Sequence, residues 1–331
     1  MNAHDLRFEI AETVSGPART RMRQMLDLLR QYQQDATALP TTDAGWDEQR
    51  KARNDIAEFF QKPYIEAVGP DIREVEVGGT TGFTVSVDTP DPRPGLVVYL
   101  HGGAFTYYSA KSSLKAAVMM AKASGRQVVS LDYPLAPQAD FMEVTRVTSR
   151  AVQALAQETP PEDLALFGTS AGGSIAAATT LRLRDEGQTM PAALVLHSPG
   201  SDCRWIGDSF LTMGDRDPAM NEDDVRRRVE LYASEDDRDH PYASPALGDF
   251  APGFPPTLIQ CGTREFLLSD SVRLYRAIRD AGNEAVLDLY EGMIHVFATM
   301  FDGIPESDIA FDIARTFLDR ALGASGQLGN E

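Results

Sequence analysis

The sequence contains little cysteine and no long apolar run. Only two of the 331 residues are cysteine, Cys203 and Cys261, and their wide spacing does not match a zinc or redox motif. Two cysteines are also too few for a disulfide framework, so we expect two reduced thiols. A run of about 18 apolar residues, as a membrane helix requires, does not occur, and charges fill the N-terminus where a signal peptide would be apolar. These features predict a cytoplasmic protein without a membrane segment.

Positive charge is scarce in this chain. The 31 lysine and arginine residues are outnumbered by 49 aspartate and glutamate residues, which gives a net charge of −18. Such a chain repels nucleic-acid phosphates and anionic lipids, so neither nucleic acid nor a membrane is expected as a partner. The Gly-x-Gly-x-x-Gly, Gly-Lys-Ser/Thr and His-Glu-x-x-His patterns of nucleotide and zinc sites are also missing. The sequence therefore predicts no cofactor and no metal ion.

The composition is otherwise that of a globular protein, with 43% hydrophobic and 24% charged residues. A length of 331 residues fits one enlarged α/β domain that carries an insertion. Four apolar residues near the N-terminus recur at helical spacing: Met22, Met25, Leu26 and Leu29. This spacing predicts a helix within residues 16–39. A second helix, capped by Asp43, is predicted to end before Pro63.

The hydrophobic pattern then changes to that of strands. Residues 72–77 and 83–87 alternate and, with glycines between them, predict an antiparallel hairpin. Six short apolar runs follow, separated by longer helical segments: 96–100, 128–131, 164–167, 194–196, 258–261 and 285–289. Continuous runs of this kind are typical of strands buried on both faces. The predicted fold class is therefore α/β, with a mostly parallel sheet, an antiparallel N-terminal edge and helices on both faces.

Residues 202–249 interrupt this alternation. They carry 13 acidic and 6 basic side chains and one predicted helix, 223–232. With the N-terminal helices, this segment is expected to cover the carboxyl ends of the strands, where open α/β sheets bind ligands. The predicted organisation is an N-terminal helical cap (1–75), a first part of the catalytic core (76–201), a cap insertion (202–249), a second part of the core (250–323) and a disordered tail (324–331).

The strongest local motif is Gly168-Thr169-Ser170-Ala171-Gly172, directly after an apolar strand. In this setting Gly-x-Ser-x-Gly predicts a serine nucleophile on a sharp turn between strand and helix. Gly168 and Gly172 are structural, because side chains there would clash beside the strained serine. The following helix directs its positive dipole end at the place where negative charge would develop. The same residues could also form a glycine-rich turn without chemistry, but the flanking strand and helix favour Ser170 as a nucleophile.

A second loop of small residues starts at His101, after an earlier predicted strand. Small residues leave backbone N–H groups free to point at one acceptor, as an oxyanion hole requires. Gly103 and Ala104 are the predicted donors from this loop, Gly102 allows it to turn, and Ala171 donates from the other side. We expect the His101 imidazole to hydrogen-bond its own loop, a structural role, rather than to act as a base.

With these motifs the chain resembles the hormone-sensitive-lipase-like branch of the α/β-hydrolases, the bacterial family IV esterases, in the group whose nucleophile motif reads Gly-Thr-Ser-Ala-Gly. Residues 132–137, Asp-Tyr-Pro-Leu-Ala-Pro, resemble that family's Tyr-Arg-Leu-Ala-Pro stretch. Residues 198–202, Ser-Pro-Gly-Ser-Asp, resemble its Ser-Pro-x-x-Asp motif. The similarity covers residues from about 95 to 300, and the N-terminal 75 residues match only in helical character. It implies an α/β-hydrolase fold with a helical cap.

In this fold the catalytic residues follow the order serine, acid, histidine. Two histidines lie well beyond the serine, and His295, directly after the last predicted strand, is assigned as the general base, whereas His240 is expected on the surface of the insertion. The first acidic residue after the preceding strand is Glu265, where the family usually has aspartate. Either carboxylate can orient an imidazole. We choose Glu265 over Asp270, because Asp270 has the position of a cap for a helix over 271–281.

The resemblance implies a carboxylesterase that hydrolyses short- to medium-chain esters through an acyl-enzyme, with Ser170, Glu265 and His295 as its triad. The same residues could instead hydrolyse a lactone, a carbamate or an amide. A function of another class, a receptor that binds small molecules without turnover, is disfavoured by the retention of His295. The expected partner is a small-molecule ester, and the resemblance also implies that the chain can form a homodimer.

Overall fold

The computed structural model of the chain describes residues 8–32, 38–214, 216–250 and 253–323. The predicted tail 324–331 lies outside the described residues. The strands are β1 (Asp71–Val77), β2 (Thr80–Ser86), β3 (Leu96–Leu100), β4 (Gln127–Leu131), β5 (Leu164–Thr169), β6 (Ala193–His197), β7 (Thr257–Gly262) and β8 (Ala285–Tyr290). The α-helices are α1 (Gly16–Tyr32), α2 (Asp43–Val68), α3 (Leu114–Ser124), α4 (Phe141–Ala156), α5 (Ala171–Asp185), α6 (Asp208–Met213), α7 (Glu222–Tyr232), α8 (Leu268–Asp280), α9 (Phe297–Met300) and α10 (Pro305–Ala321).

The eight strands form one sheet in the order β1-β2-β4-β3-β5-β6-β7-β8. β2 pairs antiparallel with both β1 and β4, and every pair from β4 to β8 is parallel. The prediction of a mostly parallel sheet with an antiparallel N-terminal edge is therefore confirmed. Because parallel strands end at the same edge of the sheet, the segments after β3, β5, β6, β7 and β8 emerge close together.

Helices cover both faces of the sheet. Alternate residues of β3 enter two hydrophobic clusters: Val98 and Leu100 join one, and Val97 and Tyr99 join the other. The first cluster includes residues of α4, α5 and α8. The second includes residues of α1, α3 and α10, with Met22 of α1 fully buried. Period-two alternation of apolar side chains thus gives a strand that is buried on both faces, as its continuous apolar run predicted.

Several local predictions were wrong. Helix α2 is capped by Thr42, whose side chain accepts a hydrogen bond from Gly45 N, rather than by Asp43, and it continues through Pro63 to Val68. Proline removes one backbone donor, but α2 packs along α3 and the preceding 3-10 turn, and these tertiary contacts hold the helix together. Strand β8 was expected to be buried on both faces, yet several of its side chains are exposed, because it forms the edge of the sheet. Residues 33–37 of the predicted first helix lie outside the described residues.

The segment between β6 and β7 holds α6 and α7, and α7 begins one residue before its predicted start. Arg228 of α7 is completely buried and forms an ion pair with Asp224 at 2.8 Å. The same guanidinium donates to Gln49 of α2 and to Thr106 Oγ1 in the loop after β3, both at 3.1 Å. These contacts bring helix α2 and the insertion together above the carboxyl ends of the strands. Nowhere in the described ranges does a helix have the length and apolar character needed to cross a bilayer.

Candidate active site

Ser170 lies on a strained turn between β5 and α5. Its backbone angles are φ 53° and ψ −122°, a combination that costs an L residue free energy. A Cβ atom on Gly168 would lie 2.4 Å from the Gly172 carbonyl oxygen, and one on Gly172 would lie 2.0 Å from the Leu100 oxygen. Glycine is therefore required on both sides of the serine. The helix begins at Ala171, so its N-terminus directly follows the serine.

The structure brings Ser170, His295 and Glu265 together in one hydrogen-bonded chain. His295 Nε2 lies 2.9 Å from Ser170 Oγ, and His295 Nδ1 lies 2.5 Å from Glu265 Oε2. Glu265 is completely buried and His295 is 4% exposed, whereas Ser170 is half-buried and faces a cavity. A carboxylate on Nδ1 requires a proton there, which leaves Nε2 free to accept one from the serine.

Two further donors fix the other oxygen of Glu265. Gly262 N donates to Oε1 at 2.9 Å, and the Ser198 hydroxyl donates to the same atom at 2.8 Å. Ser198 Oγ also accepts from Val296 N at 3.1 Å, so one hydroxyl holds both the acid and the residue after the histidine. This role of Ser198 was not predicted from the sequence. The available signal was its place directly after β6, the strand between those that precede the nucleophile and the acid.

The side chain of Asp270, the alternative acid, is hydrogen-bonded to the segment after β6 and not to His295. It lies in the first turn of α8, which starts at Leu268, and it does not cap a helix over 271–281 as expected. Its Oδ2 accepts from Asp202 N at 3.1 Å, in the segment after β6. Burial raises the pKa of the Asp270 carboxyl well above its usual range, and the nearby Asp202 carboxylate raises it further. A group that favours the neutral form is poorly suited to stabilise an imidazolium ion.

The loop after β3 approaches the nucleophile closely. A Cβ atom on Gly102 would lie 3.1 Å from the Ser170 Cβ. Gly103 has φ +125°, and a Cβ there would lie 2.0 Å from the Tyr107 oxygen, so only glycine fits. Ala104 also has a positive φ of 46°. Gly102, Gly103 and Ala104 line the same cavity as Ser170 and Ala171. The N–H of Ala171 is the first of α5 and has no acceptor within the helix.

The imidazole of His101 is directed into its own loop. Its Nδ1 lies 2.7 Å from the Gly102 carbonyl oxygen and must carry the proton, because a carbonyl only accepts. The ring stacks on Tyr133 with 4.3 Å between centroids, and the Tyr133 hydroxyl donates to the His101 carbonyl. Burial lowers the pKa of His101, which keeps this ring neutral. His101 thus supports the turn that carries Gly102.

The rings of the two remaining described histidines make their contacts elsewhere, although the His197 carbonyl accepts a hydrogen bond from Ser170 N at 2.8 Å. His197 is buried at the end of β6, and its Nε2 lies 2.8 Å from Gln260 Oε1. His240 was expected on the surface of the insertion, but it is half-buried, with its ring 5.0 Å from that of Phe141. Tyr242 N donates to its Nδ1.

A cavity of about 350 Å³ opens at Ser170 and His295. Its wall is largely aromatic and aliphatic and comes from α2, the loop after β3, the insertion and the residues around α9. The lining includes Phe60, Phe105, Tyr107, Tyr108, Trp205, Phe210, Val225 and Leu267. Such a cavity, with a nucleophile and backbone donors at one point, suits a small, mostly apolar molecule with one reactive carbonyl.

Known proteins are similar to this chain in sequence and in fold. The sequence profile of the α/β-hydrolase fold family matches residues 97–299. The chain is 34% identical to an acetyl-hydrolase of Streptomyces hygroscopicus over 75% of its own length and 83% of the relative's. It is 30% identical to an esterase of Acinetobacter venetianus over 77% of its own length and 83% of the relative's. Among solved structures, an esterase of the bacterial hormone-sensitive lipase family superposes with a TM-score of 0.80 at 29% identity, covering 92% of this chain and 99% of the other.

The chain therefore belongs to the α/β-hydrolase fold family. Within that family it is a hormone-sensitive-lipase-like esterase, a carboxylic ester hydrolase, as the resemblance of its motifs implied.

Proposed function

We propose that this esterase hydrolyses short- to medium-chain carboxylic esters through an acyl-enzyme, with Ser170 as nucleophile, His295 as general base and Glu265 as the acid that orients the histidine. The observation that carries the proposal is the continuous hydrogen-bond chain from Glu265 through His295 to Ser170. Hydrogen bonds from Gly262 N and the Ser198 hydroxyl hold Glu265 in the position from which it reaches His295.

In the acylation step, His295 Nε2 takes the proton from Ser170 as the Oγ forms a bond to the ester carbonyl carbon. The carbonyl oxygen becomes an oxyanion, which the N–H groups of Gly103, Ala104 and Ala171 stabilise by hydrogen bonds. The tetrahedral intermediate then breaks its bond to the alcohol oxygen, which receives the proton from His295.

Deacylation repeats these steps with water. His295 removes a proton from a water molecule, which attacks the acyl-enzyme carbonyl and again forms an oxyanion held by the same N–H groups. The bond to Ser170 Oγ breaks, the serine recovers its proton and the carboxylic acid leaves. Throughout, the buried Glu265 carboxylate holds the Nδ1 proton and stabilises the imidazolium ion.

The size of the cavity supports the preference for short to medium acyl chains. About 350 Å³ is near the lower end of ligand cavities, which span roughly 300–1,000 Å³. Walls contributed by α2 and the insertion support their proposed role as a cap over the site. The name of the Streptomyces relative, an acetyl-hydrolase, agrees with a small acyl group.

The test compares the wild type with Ser170→Ala on p-nitrophenyl esters from acetate to palmitate, beside matched amides and lactones. We expect highest kcat/KM on the shorter esters and a loss of about 10⁶-fold in kcat for Ser170→Ala, with an unchanged circular dichroism spectrum. A serine-directed phosphonate should label Ser170 in the wild type, as located by mass spectrometry. Turnover of esters by the alanine variant at the wild-type rate would refute the nucleophile. If amides or lactones are hydrolysed faster than esters, the proposed substrate class is wrong. Binding of esters without turnover would favour a receptor.

A further inference from the structure

The insertion holds the residue that directly follows the proposed catalytic acid. Phe266 N donates to Asp217 Oδ2 at 3.3 Å, and the Phe266 carbonyl accepts from the Ser209 hydroxyl at 2.6 Å. Both partners belong to the segment between β6 and β7. The Phe266 ring is fully buried and lies 5.6 Å from the Phe210 ring and 6.1 Å from the Trp205 ring, which belong to the same segment. The N–H, the C=O and the side chain of Phe266 are therefore all held by the insertion.

Asp217 joins this anchor to the wall of the cavity. Its side chain is buried, with 1% of the residue exposed, and its Oδ1 accepts from Ala219 N at 2.9 Å. Ala219 and Met220 line the substrate cavity. One carboxyl group thus accepts from two backbone donors, one beside the cavity and one beside Glu265. Burial of such a group is unfavourable unless both hydrogen bonds are made.

Asp217 lies close enough to His295 and Glu265 of the proposed triad for their charges to affect it. Burial raises the pKa of the Asp217 carboxyl to about 7, with the His295 imidazole acting to lower it and the Glu265 carboxylate acting to raise it. The proposed reaction makes no use of this buried acid. A structural role in the core does not require a carboxyl group either, because an apolar side chain of similar size would pack there without the cost of burying a polar group.

We propose that Asp217 is a positioning residue for Glu265, because its hydrogen bond with the Phe266 N–H fixes the loop that carries the triad acid. Through its second hydrogen bond, with Ala219 N, it also couples that loop to the wall of the substrate cavity. This inference rests on the proposed triad. The segment that bounds the substrate also sets the orientation of the acid, so the insertion acts in the chemical step as well as in substrate binding.

Asp217→Asn is the informative variant. The amide keeps one oxygen as an acceptor but turns an NH₂ group toward the other backbone N–H, so one of the two hydrogen bonds is lost. Glu265 then loses part of its support, and the His295 ring loses orientation. A small misplacement of catalytic groups is costly, and we expect kcat to fall between about tenfold and about a hundredfold, with KM within about a factor of two of the wild type.

The matched control is Asp236→Asn, the same change at an exposed aspartate of the insertion. It should leave kcat and KM unchanged. Ser209→Ala provides a second perturbation of the same loop, because it removes the hydroxyl that donates to the Phe266 carbonyl and accepts from Ser269 N at 2.8 Å. All rates are expressed per active site, titrated with a serine-directed phosphonate, so that a partly unfolded sample does not count as a slow enzyme.

A double-mutant cycle separates positioning from general destabilisation. If Asp217 acts through Glu265, then Asp217→Asn lowers kcat in the wild-type background but causes no further loss in a Glu265→Gln background. An equal fold-loss in both backgrounds, or a wild-type kcat for Asp217→Asn, would overturn the inference and leave the triad intact. A wild-type kcat for Glu265→Gln alone would instead refute the proposed function.

Discussion

The change Glu265→Gln provides a sharp test of the proposed triad, because the variant has nearly the shape of the wild type. In the structure, Oε1 receives two hydrogen bonds, from Gly262 N at 2.9 Å and from the Ser198 hydroxyl at 2.8 Å. An amide nitrogen cannot accept them, so the glutamine oxygen must stay on this side. The amide NH₂ then faces His295 Nδ1, where the wild type has a carboxylate oxygen at 2.5 Å.

This arrangement traps the imidazole in the wrong tautomer. Nδ1 has to accept a hydrogen bond from the amide, so the ring proton moves to Nε2, the atom that must take the proton of Ser170. Loss of a triad carboxylate in this way lowers kcat by about 10⁴-fold, or about 5.5 kcal/mol in the barrier. The stability of the fold should change little, since the buried side chain keeps its volume and the hydrogen bonds to Oε1.

The assay is the steady-state hydrolysis of p-nitrophenyl acetate near pH 8, with active sites titrated and thermal unfolding followed in parallel. Glu265→Asp is the companion variant. Removal of one methylene withdraws the carboxylate by about 1.5 Å, so it cannot hold His295 and the Gly262–Ser198 pair together, and kcat should lie between those of the wild type and the glutamine variant. A loss of less than about tenfold for Glu265→Gln would show that the acid has been assigned wrongly.

Two further predictions concern the cavity and the core. Gly200 lines the cavity, and a Cβ there would meet only the Leu267 side chain, at 3.5 Å. Because a larger side chain would fill part of the cavity, Gly200→Leu should lower kcat/KM on longer p-nitrophenyl esters by about 10- to 200-fold more than on the acetate. An unchanged dependence of kcat/KM on chain length would contradict this. Burial lowers the pKa of His197 from 6.5 to about 4, so the unfolded chain binds the extra proton and stability falls as the pH drops from 6.5 toward 4. Between pH 7 and pH 5, urea unfolding should show the wild type losing about 2 kcal/mol more than His197→Gln; equal losses would show that His197 titrates alike in both states.

Features that arise from local sterics were predictable from the sequence. Strands with continuous apolar runs were recognised because a strand in the middle of an α/β sheet has no solvent-facing side. The turn at Ser170 was recognised because its strained backbone requires glycine at fixed positions on either side. His295 was placed by the order of elements in the chain, and the structure puts it beside the serine.

Features that depend on distant parts of the chain were not predictable in this way. Ser198 and Asp217 contact the acid loop from positions 67 and 49 residues away, and a single hydrogen-bonding side chain leaves no periodic signal. Asp270 was mistaken for a helix cap because an aspartate in a first turn and one at the cap look alike when the start of the helix is shifted by three residues. Pro63 did not end its helix because packing of α2 on its neighbours outweighed the missing backbone donor.

The anchoring of Thr106 has a consequence for how activity emerges during folding. Its carbonyl accepts from Arg50, 56 residues earlier, and its hydroxyl accepts from Arg228, 122 residues later. A refolding chain must therefore dock both distant segments before the glycine loop beside the nucleophile is held in place. Recovery of ester hydrolysis during refolding should accordingly not precede the docking of α2 and α7 on this loop.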